Sequence, residues 1–144
     1  MCVRLLICMI IFAQLAVNIT NAAMSMEQLE KAAKNVRNTC TSKSRADPGA
    51  IAGIQKGKFP DDNQTLKCYT LCVMKTMRTF KNGRIDYEMM IKQMDLMLPA
   101  DMASAMKVTA TECATIPSGV DDCDTTYQFV KCSYQTDPNH FLFP

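Results

Sequence analysis

The sequence predicts an all-α, disulfide-stapled single domain of six helices. Three observations predict it. Apolar residues recur three and four apart along nearly the whole chain. The interruptions fall at Pro, Gly and Asx positions, and six cysteines remain in a short chain once an N-terminal leader is set aside. The chain has 144 residues, of which 48% are hydrophobic and 21% charged, so it is neither a disordered nor a collagen-like polymer. Its formal net charge of +2 comes with scattered basic residues and leaves no electrostatic footprint for nucleic acid.

Residues 1–22 read as a secretory signal peptide and residues 23–144 as the mature domain. Arg4 supplies the positive start, an apolar run extends from Leu5 to Val17, and Ala22–Ala23 offers a small-residue cleavage site with Thr20 three positions before the cut. The run is too short to span a bilayer, so a membrane anchor is not expected; the mature protein is expected to be secreted, extracellular and without stable membrane insertion. Removing the leader leaves six cysteines, ten methionines and 15 basic against 14 acidic residues.

The helices follow in order. Met26, Leu29, Ala33, Val36 and Cys40 mark the first, opened by Ser25 as N-cap. Asp47-Pro48 opens a short second helix that ends near Gly57. The third is expected from about Gln64 to Phe80, with Leu66, Tyr69, Val73, Met77 and Phe80 on one face and Asn82-Gly83 stopping it. Asp86 caps the fourth, whose stripe is Tyr87, Met90, Ile91, Met94, Met97 and Leu98. Pro99 breaks it, and the fifth carries Met102, Met106, Ala110 and Cys113. After the Pro117-Ser118-Gly119 turn, Val120, Cys123, Tyr127, Val130 and Tyr134 mark the sixth. Residues from Gln135 to Pro144 form a non-helical tail that ends Phe141-Leu142-Phe143-Pro144, and no strand-like alternation of useful length is found.

The mature cysteines are Cys40, Cys68, Cys72, Cys113, Cys123 and Cys132, with spacing C-x27-C-x3-C-x40-C-x9-C-x8-C. An even number in a short secreted chain implies a disulfide framework rather than thiol chemistry. Cys68 and Cys72 stand one turn apart on one helix face and can anchor it to two neighbours. Spacing alone does not choose among the 15 possible pairings. Asn63-Gln64-Thr65 is also an N-glycosylation sequon.

This cysteine spacing, in an all-helical secreted chain of this size, resembles the six-cysteine insect odorant-binding proteins of the PBP/GOBP type. The three-residue and eight-residue gaps are the specific parts of the pattern. The stretches Met24-Ser25-Met26-Glu27-Gln28-Leu29, Cys68-Tyr69-Thr70-Leu71-Cys72-Val73 and Phe141-Leu142-Phe143-Pro144 look most like the alcohol-binding Lush-type members. The resemblance implies the pairing Cys40–Cys72, Cys68–Cys123 and Cys113–Cys132, and six helices around a hydrophobic cavity with the tail as one wall. It further implies non-covalent binding of a small hydrophobic odorant or pheromone, carriage through sensillar lymph to an olfactory receptor, and a monomer or weak homodimer. No cofactor and no metal is expected.

Eight methionines fall on the central three helices: Met74, Met77, Met89, Met90, Met94, Met97, Met102 and Met106. Methionine at helical spacing also fills an ordinary core, but this density suits an adaptable apolar wall. The side chains expected at the ligand are Met74, Thr79, Phe80, Ile85, Met90, Met94, Met97, Phe129, Phe141 and Phe143. By the resemblance, Thr79 stands where Lush-type proteins present a hydroxyl to the alcohol, and Met74 stands where they have a second hydroxyl. That departure points to a larger ligand, such as a longer-chain alcohol, an ester or a terpenoid. The alternative for Thr79 is a helix-terminal hydroxyl bonded to its own backbone. His140, the single histidine, sits beside the apolar tail cluster and is a candidate for a pH-dependent loosening of the tail, or else a solvated spectator. Lys107 and Asp137 are a candidate tether between the fifth helix and the tail.

An enzyme is not expected. The single histidine excludes a histidine pair, and neither a Gly-rich phosphate loop nor a Gly-x-Ser-x-Gly elbow is present. The alternative to an olfactory carrier is a non-olfactory secreted carrier, or a salivary or venom interaction protein on the same scaffold.

Overall fold

The computed structural model describes residues 23–144; the signal peptide expected over residues 1–22 lies outside the described residues. Six helices follow in chain order: α1 Met26–Ser44, α2 Pro48–Ile54, α3 Gln64–Thr76, α4 Tyr87–Met97, α5 Ala100–Cys113 and α6 Asp122–Thr136. A short hairpin, β1 Phe80–Lys81 and β2 Arg84–Ile85, stands between α3 and α4.

Five of the six helix starts are written in side chains that satisfy the first free amides; α5, which follows Pro99, has no such cap. Ser25 and Gln28 close a reciprocal capping box on α1. Asp47 accepts from the Ala50 amide, with Pro48 at the first helical position, and Asn63 accepts from that of Leu66. Asp86 does the same for Met89. The sixth helix opens two residues later than the apolar stripe suggests: Asp121 is its cap, accepting from the Asp124 amide, and Val120 lies outside it, almost fully in solvent.

The third helix ends earlier than expected. Arg78 adopts a left-handed conformation (φ 59°), its amide donates to the Lys75 carbonyl, and the Thr79 amide donates to that of Met74 at 2.8 Å. These are the two bonds of a Schellman stop. Phe80 therefore leaves the helix and pairs with Ile85 across the hairpin. Asn82 and Gly83 form a two-residue turn with positive φ at both positions, the geometry that matches strand twist.

Helix α3 runs through the middle of the molecule, packing on α1 and α6, while α5 bridges α4 and α6. The α3–α6 crossing is close because threonines meet there. Thr70 and Thr126, both fully buried, bring their hydroxyls to 3.0 Å, so that one donates to the other while the other donates to a carbonyl of its own helix. Disulfides join Cys40 to Cys72, Cys68 to Cys123 and Cys113 to Cys132. Thus α3 is covalently tied to α1 on one turn and to α6 on the previous one. Each bridge restricts the unfolded chain and contributes roughly 3–5 kcal/mol in the chain-entropy model.

Candidate ligand cavity

Between α3, α4, α5, α6 and the tail lies a partly open cavity of about 100 Å³. Met74 and Met77 come from the end of α3, Met90 and Met94 from α4, Met106 and Ala110 from α5, and Phe129 and Val130 from α6. The methionines converge because the helical spacing that buries Met74, Met90 and Met94 aims all of them at the same central space. Unbranched thioethers fill it loosely and re-pack at little cost.

The remaining wall is the tail. Phe141, Leu142 and Phe143 line the cavity, and the chain end is held from several directions. The Tyr69 hydroxyl donates to the Pro144 carbonyl at 2.7 Å, and Gln55 Nε2 donates to that of Phe143. Phe141 meets Tyr134 edge-on with ring centroids 5.1 Å apart, and Phe143 meets Tyr69 at 6.4 Å. Burial pushes the Tyr69 phenol up to about 12, partly opposed by the nearby Arg37 guanidinium, so at neutral pH it stays a donor.

The polar atoms on the wall are few and mostly engaged. Thr79 Oγ1 donates to the Met74 carbonyl at 3.2 Å, Thr109 to that of Ala105 at 3.3 Å, and Ser133 to that of Phe129 at 2.9 Å. With their hydrogens committed, these hydroxyls present lone pairs. The cavity can therefore accept a hydrogen bond from an otherwise apolar molecule. The local-backbone bond of Thr79 and its place on the cavity wall occur together.

Not every side chain expected at the ligand reaches this space. Phe80 is buried in β1, under the ammonium group of Lys75. Ile85 lies in a separate groove outside the cavity. Met97 is half-buried at the far end of α4, where its carbonyl accepts from the Met24 amide. The early stop of α3 explains Phe80 and Ile85: the chain turns into the hairpin before they can face α4. Conversely, Thr109, Ala110, Val130 and Ser133 line the cavity beyond the expected set, as do Met77 and Met106 of the methionine group; the stripes on α5 and α6 contain Ala110 and Val130.

The Lys107–Asp137 tether is not formed. Lys107 Nζ pairs with Asp95 at 2.6 Å across the α4–α5 hairpin, and Asp137 pairs with His140 Nδ1 at 2.6 Å. A partner three residues away in the same turn is reached more easily than one on another helix. Asp137 and His140 themselves stand at the edge of the cavity.

Residues 22–136 match the model of the PBP/GOBP family. The chain belongs to that family. It is 32% identical to general odorant-binding protein 72 of Anopheles gambiae, over 85% of this chain and all of the relative. Two solved structures superpose closely. Odorant binding protein 5 of Apis mellifera shares 41% identity with a TM-score of 0.80, covering 85% of this chain and all of that one. Odorant binding protein 4 of Chrysopa pallens shares 30% with a TM-score of 0.78, covering 84% and 99%.

Proposed function

We propose that the protein is a secreted carrier that reversibly binds a small hydrophobic molecule in the methionine-lined cavity. The observation that carries this reading is the cavity itself, walled by four helices and a tied-down tail and lined mostly by apolar side chains. Family membership supports it. The ligand class is an odorant or pheromone, carried through sensillar lymph to an olfactory receptor. Threonine and serine oxygens with free lone pairs favour a molecule with one hydroxyl donor on an apolar body, a longer-chain alcohol rather than a charged species. The roles given to Met74, Thr79, Met90, Met94, Phe129, Phe141 and Phe143 are contact roles, with no chemistry performed.

Small-molecule sites usually measure about 300–1,000 Å³, so a cavity this size is a closed state that a longer ligand expands through methionine rotamers. The test is displacement of the fluorescent probe N-phenyl-naphthylamine from the refolded, disulfide-intact protein by aliphatic alcohols. Saturable binding of the probe with displacement by alcohols is expected; absence of probe binding rejects the carrier reading.

A further inference from the structure

Phe129 belongs to two spaces at once. One side of its ring closes the methionine cavity. The other ends a groove of about 620 Å³ that runs between the hairpin, the start of α4 and the α5–α6 connection. Among the described residues, Phe129 is the one side chain common to both linings. The groove lining is mixed: Ile85, Tyr87 and Ile116 are apolar, and Lys81, Arg84, Asp86 and Glu88 are charged.

The two boundaries of the cavity differ in how they are held. The tail is fixed by the Tyr69 and Gln55 hydrogen bonds and by stacked aromatic rings, so opening it breaks several contacts together. Phe129 is a single side chain, almost fully buried, backed on the groove side by an edge-on contact with Tyr87 at 5.8 Å. An aromatic ring turns about its first side-chain torsion between staggered wells, and the space it would turn into is the groove.

We propose that Phe129 is a gate that sets ligand length. Turned toward Tyr87, it joins cavity and groove into one channel. A long-chain alcohol then keeps its hydroxyl at the threonine and serine oxygens of the cavity and extends its chain past Phe129 toward Ile85 and Ile116. In the position seen here, between the two linings, it restricts the protein to short ligands. The proposal rests on the carrier reading and adds to it a second compartment and the residue that divides the two.

The experiment compares wild type, Phe129→Ala, Phe129→Trp and Tyr87→Ala for displacement of N-phenyl-naphthylamine by hexanol and by tetradecanol. Each variant is checked for an unchanged helical circular-dichroism spectrum. Opening the wall in Phe129→Ala should favour tetradecanol over hexanol by about tenfold relative to wild type, with faster probe association. Phe129→Trp should selectively weaken tetradecanol. Tyr87→Ala removes the backing without opening the core and should speed association while hexanol affinity holds, so the gate remains testable if Phe129→Ala does not fold. Unchanged chain-length preference and unchanged association rates in variants that still bind hexanol overturn the gate and leave the groove as a surface for something else. No probe binding by wild type overturns the carrier reading, and the gate with it.

Discussion

The Asp137 carboxylate and the His140 imidazole are paired at 2.6 Å in the turn that leads from α6 into the tail. Beside a carboxylate, Nδ1 carries the proton and donates. Asp137 also accepts from the amides of Asn139 and His140, so one carboxylate organises the whole turn.

The pH dependence follows from Asp137. The hydrogen bond from His140 holds its carboxyl below the ordinary 3.8, more than burial raises it. A lowered folded-state value contributes stability that is present above the unfolded value and lost as pH falls through the folded one. Probe affinity should thus fall as pH drops below about 4 in wild type, and less so in Asp137→Asn. A fall of equal size in Asp137→Asn would assign it to another group.

Tyr69→Phe keeps the ring against Phe143 and removes the donor to the Pro144 carbonyl. One neutral hydrogen bond is worth about 0.5–1.5 kcal/mol. Amide hydrogen exchange in residues 137–144 should quicken by a factor of roughly 2 to 10 while α3 stays protected. Equal loss of protection in both would mean that Tyr69 acts on the core rather than on the tail.

Gly57 has φ 70°, and a Cβ there would lie 2.5 Å from Tyr134 Cε1. Gly57→Ala therefore combines a disfavoured backbone conformation with displacement of the ring that seats Phe141. A loss of about 1–3 kcal/mol in chemical unfolding is expected, with weaker protection of the tail. An unchanged midpoint counts against this contact.

Lys67 and Asp124 pair at 2.6 Å beside the Cys68–Cys123 bridge, with both side chains largely buried. The Lys67 hydrogen bond lowers the Asp124 carboxyl below its ordinary 3.8, against the effect of burial. Its contribution is present above about pH 4 and lost in stronger acid. Asp124→Asn should melt below wild type at neutral pH, and the difference should shrink as pH falls below 4. A constant difference across that range would assign the loss to packing.

Much of the fold was legible because its signals are local. Caps such as Ser25, Asp47 and Asp86, and breaks such as Pro99, act within a few residues and need no partner across the chain. The stop of α3 was hidden because the left-handed position is Arg78, where glycine would have signalled it. The Asn82-Gly83 pair was visible but served as a hairpin turn rather than a simple helix stop.

By itself the sequence determined the six helices, the disulfide class, and through its resemblance the family, because helical periodicity and cysteine spacing are properties of the chain. The tertiary structure decided which methionines face one another, that Lys107 takes Asp95 rather than Asp137, and that Ile85 stands across Phe129 from the cavity. The physical reason is that a stripe names the inward face of a helix but not what stands opposite it. That depends on how closely α3 and α6 cross at Thr70 and Thr126, and on where the chain turns between α3 and α4.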